Sequence, residues 1–402
     1  MKKIYLTAAF LTLLLQPLLK AQDFKIVGYF PYYRFDYADQ IEFDKLTHVN
    51  ISFANPTNNQ GNLSVGGEDI DPIVEMAHDA GAEVFVALAG GALTSSWASA
   101  WEHLQKPQYR SSFIHKIVNY CYQHDLEGID VDLEWGGVGS NYSGFVIELS
   151  DSLHAHGFQI SAALPGTYRF PDITDNALAA FDFINMMAYN LTGPWDPDNP
   201  GPHSPYSFGV SSKNYWVDQG IPKSKLTLGV PFYGYTFNGN DVSSFTYRTI
   251  VQEDPENAYH DQAGNSYYNG IPTIRNKTTY AMNQSLDGIM IWEIGQDSYD
   301  EYSLLTTIYN TVNGISGTTD EEPASIAVYP NPTKGKLWIE GDWNADTTIH
   351  LFDANGRLLV SKQANSDQVD LDISDYPNGF YFVQIQDENG ITPVKVMKVG
   401  GL

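Results

Sequence analysis

The chain has 402 residues, too many for one ordinary domain, and 43% of them are hydrophobic, which argues against a disordered protein. Its 48 acidic and 22 basic residues give a formal net charge of −26, so no basic surface is expected that could neutralise nucleic-acid phosphates. Nucleic acid is therefore excluded as a partner, and an uncharged ligand is favoured. Cys121 is the only cysteine, so the chain can form neither an intramolecular disulfide nor a cysteine metal site.

The first 21 residues have the pattern of a secretory signal peptide. Two lysines near the start precede an apolar run through Leu19, and the segment ends on the small residue Ala21. A transmembrane anchor is the alternative, but the run is short for a bilayer, and Gln16 and Pro17 interrupt it. We therefore expect residues 1–21 to be cleaved and the mature protein to lack a membrane span.

From Phe24 to about Tyr309, short apolar runs alternate with segments of helical period such as Tyr109–His124 and Ser143–His156. The predicted strands are Lys25–Phe30, His48–Phe53, Glu83–Ala89, Gly128–Leu133, Gln159–Leu164, Phe183–Ala188, Leu226–Pro231 and Gly288–Trp292. Eight strands separated by helices predict an α/β fold, a (β/α)8 TIM barrel over residues 22–313. A doubly wound open sheet is the alternative, but no Gly-rich phosphate loop follows the first strand.

Two long connections are expected on the catalytic face of this barrel, because the loops after the strand ends carry the chemistry in such folds. Thr236–Asn269, between the seventh and eighth predicted strands, is rich in Tyr, Asn, Gly and Thr and predicts a short β-rich insertion. Trp195–Pro205, rich in Pro, Asp and Asn, predicts a loop after the sixth strand.

The C-terminal region has the pattern of a second, smaller domain. Residues 314–325 are rich in Gly, Ser, Thr and acidic residues, which is typical of a linker. Residues 326–402 contain short alternating strands separated by turn signals such as Asn355-Gly356 and Pro377-Asn378-Gly379. This pattern predicts a small all-β sandwich, and nothing in it looks catalytic.

Three carboxylates occupy alternate positions of the fourth predicted strand: Asp130, Asp132 and Glu134. Alternate side chains of a strand share one face, so the three acids form a ladder opposite an apolar set. Like charges this close cannot all ionise, so at least one carboxyl keeps its proton near neutral pH and is a candidate general acid. A solvated edge strand is the alternative, but the flanking apolar residues predict burial.

Residues 127–134 resemble the fourth-strand signature of glycoside hydrolase family 18, which contains chitinases and related endo-β-N-acetylglucosaminidases. The signature is an acid, Gly, an apolar residue, Asp, an apolar residue, Asp, any residue and Glu. The resemblance extends from Val27 to Asp297. It also rests on Val27-Gly28-Tyr29-Phe30, Thr47–Phe53, Asn185–Asn190, Leu228–Gly234 and Gly288–Trp292, which resemble the first, second, sixth, seventh and eighth strands of the family in chain order.

The resemblance implies a retaining reaction in which the N-acetyl oxygen of the substrate is the nucleophile. Glu134 would protonate the leaving oxygen and then activate water. Asp132 would orient the acetamido N–H, Asp130 would share charge and protons with Asp132, and Tyr189 would bind the acetamido oxygen. The implied substrate-binding residues are Trp292 as the floor of the site, with Tyr29, Phe53, Met187, Asn190, Tyr233 and Gly91. Neither a metal nor a cofactor is implied.

The chain departs from the family pattern at four positions and in the length of one insertion. Glu127 replaces the usual first aspartate of the signature, and Leu88-Ala89-Gly90-Gly91 lacks the serine that often supports the lower aspartate, so Asp130 must find another partner. Asn190 replaces a common aspartate, which removes a charge and is expected to shift the pH optimum. Tyr235 stands where many chitinases carry an arginine, and the short insertion implies a shallow groove.

These features imply a secreted, monomeric chitinase acting on chitin or another N-acetylglucosamine-containing glycan. An endo-β-N-acetylglucosaminidase acting on N-glycans is one alternative. An inactive chitin-binding lectin is another, but such lectins have usually lost the catalytic glutamate, and Glu134 is present.

The C-terminal region resembles the sorting domain of type IX secretion substrates. The resemblance rests on Ile326–Gly335, which contains Tyr-Pro-Asn-Pro, on Ile349–Gly356, and on Leu371–Gln384. It implies export through the periplasm to the cell surface or the medium, with the type IX machinery as partner. A carbohydrate-binding sandwich is the alternative, because Trp338 and Trp343 could stack on sugars.

Overall fold

A computed structural model of the chain describes residues 24–315, 327–341, 347–353, 357–364, 368–387 and 390–400. The expected signal peptide, and the expected linker apart from residues 314 and 315, lie outside these ranges. Within the described ranges, no helix has the length and apolar character needed to cross a membrane.

Eight parallel strands form a closed barrel, which confirms the predicted TIM-barrel fold. The strands are β1 (Lys25–Pro31), β2 (His48–Pro56), β3 (Glu83–Ala89), β4 (Gly128–Asp132), β5 (Gln159–Pro165), β6 (Phe183–Met187), β7 (Leu226–Pro231) and β8 (Gly288–Trp292). Each strand pairs with the next, and Lys25 lies opposite Gly288 where β1 closes on β8. All eight begin at the predicted residue, and their ends differ from the prediction by a few residues at most.

The strands are apolar on two faces because each face packs into a different core. Ile129 and Val131 of β4 point outward into the large cluster formed with the surrounding helices. Val27, Tyr29 and Phe85 belong to a separate cluster inside the barrel. Successive side chains of a strand alternate between these two cores, so the even-numbered acids of β4 face the interior.

Most helices of residues 24–315 begin at a side-chain cap or next to a proline. The helices are α1 (Asp71–Asp79), α2 (Ser95–Leu104), α3 (Pro107–Gln123), α4 (Tyr142–Ala155), α5 (Asp175–Ala180), α6 (Tyr206–Asp218), α7 (Tyr247–Glu253), α8 (Ile271–Asn283) and α9 (Leu304–Asn313). Thr94 and Thr174 accept hydrogen bonds from the first turns of α2 and α5. The predicted helices Tyr109–His124 and Ser143–His156 correspond to α3 and α4, and Cys121 is buried on α3.

The connection between β7 and β8 is a β-rich insertion, as predicted. Its strands form one antiparallel sheet and are Tyr233–Asn238, Asp241–Thr246, Gln262–Ala263 and Ser266–Tyr267. The helix α7 and a 3-10 turn at Pro255–Tyr259 lie between the second and third of these strands. The connection from β6 to α6 is a loop through residue 205.

The described part of the C-terminal region consists of two antiparallel sheets. One contains Ala327–Tyr329, Lys336–Glu340 and Gln368–Asp372, and the other contains Thr348–Asp353, Leu358–Gln363, Gly379–Asp387 and Gly390–Lys398. Their inner faces bury one apolar cluster that includes Leu337, Ile349 and Val383. The predicted all-β sandwich is confirmed.

Candidate active site

The acidic ladder lies in the barrel interior, at the end of β4 where catalysis is expected. Asp130 is fully buried and Asp132 is 4% exposed, whereas Glu134 follows the end of the strand and is only partly buried. Glu134 is therefore the carboxyl of the ladder with the greatest access to a ligand, and the other two lie beneath it.

Asp130 is held by three donors from three other strands. Tyr29 Oη donates to Oδ2 at 2.7 Å, and Ser161 Oγ donates to Oδ1 at 2.6 Å. Asn185 Nδ2 donates to Oδ1 at 3.2 Å, and its own carbonyl accepts from Thr227 Oγ1 at 2.7 Å. Burial raises the pKa of Asp130 to about 6, and the three hydrogen bonds keep it from rising further. The hydroxyl missing from Leu88–Gly91 is thus replaced by that of Ser161 on β5.

Asp132 lies between the other two acids, and both of them affect its pKa. Burial raises its pKa well above the usual value, and the charges of Glu134 and Asp130 raise it further. Its Oδ1 atom is buried and has no hydrogen-bond partner among the described residues. Because an unpaired buried carboxyl oxygen is costly, this atom is well suited to accept an N–H from a ligand.

Burial raises the pKa of the Glu134 carboxyl to about 7, so a large fraction of it keeps its proton at neutral pH. The loop after β3 packs directly against this group. A Cβ atom added to Gly91 would lie 2.5 Å from Oε1 of Glu134, so only glycine leaves the carboxyl its present position.

Aromatic rings form a floor beside the ladder. Trp292 stacks on Phe53 with a centroid distance of 5.5 Å and an interplanar angle of 22°, and Tyr29 meets Trp292 edge-on at 5.6 Å. The next residue, Glu293, is fully buried and pairs with Arg34 at 3.0 Å. Trp292 is therefore fixed by ring packing and by an anchored neighbour, and its partly exposed face is available for stacking.

A cluster of hydroxyls and an amide lies across the site from the floor. Tyr233 and Tyr235 donate to Oδ1 of Asn190 at 2.6 and 2.9 Å. Asn190 adopts a left-handed conformation with φ of 63°, which asparagine tolerates better than most residues. Tyr189 is buried, and its hydroxyl reaches the sulfur of Met290 at 3.9 Å, a weak acceptor.

Residues 25–297, more than half of the chain, match the sequence model of glycosyl hydrolases family 18. The chain belongs to this family. Residues 327–399 match the model of the secretion system C-terminal sorting domain, as the resemblance implied.

Solved structures and curated sequences agree with this membership. The GH18 chitinase ChiB from the chitin utilization locus of Flavobacterium johnsoniae is 44% identical, with a TM-score of 0.70 over 72% of this chain and 94% of that chain. "Probable chitinase 10" of Drosophila melanogaster is 25% identical over 395 residues, which span 78% of this chain and 17% of that protein. A "chitinase-like effector" of Moniliophthora roreri is 27% identical over 240 residues, 51% of this chain and 57% of that protein. The chain thus spans less than two thirds of the curated relatives it first matches.

The expected site residues lie at one end of this family 18 barrel, but they are buried to different extents. The residues that lie at or just after the C-terminal ends of the barrel strands, with Asp130 deepest, are Asp130, Asp132, Glu134, Tyr189, Asn190, Tyr233, Phe53, Gly91 and Trp292. Tyr29 is 1% exposed, so its hydroxyl serves Asp130 inside the barrel. Met187 is partly buried and packs against the interior cluster.

Several residues that shape the family 18 site were not predicted. These include three polar residues on otherwise apolar strands: Ser161, Asn185 and Thr227. Each lies at an inward-facing position of its strand, and the alternation of inward and outward positions is the signal that could have identified them. At the mouth, Trp135 and Trp195 are 65% and 57% exposed and follow β4 and β6. No cluster of His, Cys, Asp or Glu suited to a metal ion is found in the described part of the chain.

Proposed function

We propose that the protein is a chitinase that hydrolyses β-1,4-linked N-acetylglucosamine chains with retention of configuration. The observation that carries this proposal is that Glu134, whose pKa burial raises to about 7, lies on the same ladder as the unpaired buried oxygen of Asp132. The first group can donate a proton to a glycosidic oxygen, and the second can accept an acetamido N–H. The names of the chitinases to which the chain is similar support the same substrate class.

In the first step, the proton of Glu134 passes to the glycosidic oxygen while that bond to the anomeric carbon breaks. The acetamido oxygen of the same sugar forms the new bond to this carbon, and a positively charged oxazolinium results. Asp132 accepts the acetamido N–H and stabilises this charge, while Asp130 supports Asp132 from below. In the second step, Glu134 takes a proton from water, and the water oxygen displaces the acetamido oxygen.

Tyr189 supplies the remaining donor to the acetamido group. Its hydroxyl has only a thioether sulfur as a partner within residues 24–315, so turning it towards an acetamido oxygen sacrifices little. A well-placed donor of this kind stabilises the transition state by about 3 kcal/mol. Trp292 provides the stacking surface for the reacting sugar, and Asn190 and Tyr233 contact it from the opposite side.

The mechanism is tested by Glu134→Gln, with Asp132→Asn as its partner. The glutamine keeps the shape of the side chain but has no acidic proton, so turnover of chitotetraose should fall below about 1% while binding is retained. Asp132→Asn should lose less, because an amide can still contact the acetamido group. Glu102→Gln, an exposed change on α2, is the matched control. Higher residual turnover in Glu134→Gln would remove Glu134 from the acid role.

Partly acetylated chitosan tests the identity of the nucleophile. A glucosamine unit offers an amine that cannot close the oxazolinium ring, so new reducing ends should carry N-acetylglucosamine and should first appear as the β-anomer. NMR of early products reads both features. Unacetylated new reducing ends, or an initial α-anomer, would contradict the substrate-assisted reaction.

Two alternatives are separated by simple assays. A chito-oligosaccharide series beside a high-mannose glycopeptide distinguishes a chitinase from an endo-β-N-acetylglucosaminidase, which would use the same carboxyls. A chitin-binding lectin would bind the oligosaccharide without turnover, so product formation from chitotetraose separates the two; the raised pKa of Glu134 favours the enzyme.

We also propose that residues 22–313 and 326–402 are separate domains and that the second directs export. The match to a secretion sorting domain supports this assignment. A chain ending at residue 314 should keep its activity on soluble substrate but accumulate in the periplasm of the native host. Normal secretion of this shortened chain would refute the export role, and a loss of activity on insoluble chitin alone would instead indicate a carbohydrate-binding module.

A further inference from the structure

Helix α8 carries a lysine that is buried without a carboxylate in hydrogen-bonding contact. Lys277 is 1% exposed, and its Nζ donates to the carbonyl and the hydroxyl of Ser204 and to Oδ1 of Asn269, each at 2.7 Å. All three ammonium hydrogens are thereby used. Burial lowers the pKa of Lys277 to about 7, which shows how much this position costs an ordinary lysine. A buried cation held by neutral groups is rare unless it has a task.

The contacts of Lys277 lead directly to the end of β6. Ser204 Oγ, which accepts from Lys277, donates to the carbonyl of Ala188 at 2.7 Å. Ala188 immediately precedes Tyr189, the proposed acetamido ligand. Asn269 of the insertion donates to the same carbonyl of Ser204 at 3.0 Å. The helix, the insertion and the loop after β6 therefore meet at one serine.

His203, which precedes Ser204, connects the same loop to Asn190 and Tyr233. His203 is fully buried, accepts from the backbone N–H of Asn190 at 3.5 Å and donates from Nε2 to the carbonyl of Tyr233 at 3.2 Å. Burial, and to a smaller extent the charge of Lys277, lowers the pKa of His203 to about 3. The ring therefore stays neutral, and one of its nitrogens can accept a hydrogen bond while the other donates one. Its ring also packs against Tyr233 and Tyr235 at 4.9 and 5.0 Å.

We propose that Lys277 is a positioning residue that acts through Ser204 and His203 to fix Tyr189 and Asn190 for the acetamido group. This inference rests on the proposed chitinase function. Lys277 is not expected to touch the substrate, because its head is buried and its three hydrogens are already used by Ser204 and Asn269. Its contribution is geometric: it holds the backbone on both sides of the two residues that contact the reacting sugar.

The test uses Lys277→Met in the full mature chain. Methionine has a similar length and removes the three hydrogen bonds without leaving a large cavity, and replacing a buried charge in this way need not destabilise the fold. Misplacing Tyr189 by a fraction of an ångström should lower kcat on chitotetraose by about 10-fold to 100-fold, with a smaller change in KM. The affinity for N-acetylglucosamine thiazoline, a stable mimic of the oxazolinium, should fall by a similar factor.

Lys213→Met is the matched control. Lys213 is a buried lysine on α6 whose head bonds Asn214 rather than Ser204, so its loss should leave kcat and thiazoline affinity unchanged. Equal losses in both variants would overturn the inference. A Lys277→Met enzyme with a lower melting temperature, but normal kcat and thiazoline affinity when folded, would show a purely structural role and would also overturn it.

Ser204→Ala keeps the test decisive if Lys277→Met does not fold. It cuts the path from Lys277 to Ala188 while leaving the lysine in place, and it should lower kcat and thiazoline affinity. In a foldable Lys277→Met background, Ser204→Ala should add little, because both changes break one path. An unchanged kcat in Ser204→Ala would refute the proposed link from Lys277 through Ser204 to Tyr189. Fully additive losses of kcat in the double variant would also refute it. A wild-type protein that neither cleaves chitotetraose nor binds the thiazoline would instead refute the proposed function.

Discussion

Replacing Ser161 by alanine would change the proton balance of the ladder without touching the substrate. Ser161 donates to Oδ1 of Asp130 at 2.6 Å and is the strongest of the groups that lower the pKa of this carboxyl. A hydrogen bond to a charged group contributes about 1.5–3 kcal/mol, and one pKa unit corresponds to about 1.4 kcal/mol. Ser161→Ala should therefore raise the pKa of Asp130 by about 1 to 2 units.

The consequence is a narrower pH range of activity. The proposed reaction uses an ionised Asp130, whose pKa is about 6, and a protonated Glu134, whose pKa is about 7. Raising the first value moves the acid limb of kcat/KM upward towards the basic limb, so the maximum also falls. Because the carboxyls interact, the two limbs report apparent values of the whole ladder.

The assay is the pH dependence of kcat/KM on chitotetraose for the wild type and two variants. Ser150→Ala is the control, because the buried Ser150 hydroxyl on α4 bonds the carbonyl of Ala180 at 2.9 Å, outside the barrel interior. It should leave both limbs in place. If the acid limb of the kcat/KM profile stays at the same pH in Ser161→Ala, or moves to lower pH, the hydrogen bond from Ser161 does not lower the pKa of Asp130 as described.

Two further changes concern Glu134. Gly91→Ala would place a Cβ atom 2.5 Å from Oε1 of Glu134 and should lower kcat with little change in melting temperature, whereas Gly136→Ala, with open space around it, should not. Glu134→Gln should raise the free energy of unfolding at alkaline pH by at most about 3 kcal/mol, because burial raises the pKa of this carboxyl from 4.5 to about 7. The group contributes its full stability below pH 4.5 and loses it as the pH rises through about 7, so the gain should vanish in acid.

Equal kcat values for Gly91→Ala and the wild type would show that the loop after β3 does not confine the carboxyl. Denaturant unfolding at acid and alkaline pH checks the stability prediction. A Glu134→Gln variant that is equally stabilised at both pH values would contradict the assignment of the pKa shift to this group, because glutamine does not titrate.

The sequence predicted the strands well because each barrel strand packs apolar residues on two faces between turn signals. It also located Glu134, since alternation alone places the three acids on one face. The partners of Asp130 could not be found in this way. Tyr29, Ser161 and Asn185 reach it from other strands. Which residues meet depends on the register around the closed barrel, for example Asp130 opposite Ser161. The burial of Lys277 was equally hidden, since a lysine between Asn276 and Thr278 on a helix is normally solvated.

The three carboxyls of the ladder differ in how deeply they are buried, and this difference sets the protonation behaviour of each. Asp130 is fully buried, but three hydrogen bonds stabilise its charged form. The carboxyl can therefore ionise without a cation beside it. Asp132 is buried with one unpaired oxygen, and burial together with its two charged neighbours raises its pKa. Burial raises the pKa of Glu134 to about 7. Asn190, Tyr233 and Tyr235 form a neutral hydrogen-bonded group, because both tyrosine hydroxyls donate to the Asn190 side chain. The proton of Glu134 is therefore controlled by desolvation, so whatever opens or closes the cleft to water sets the acid strength of the catalyst.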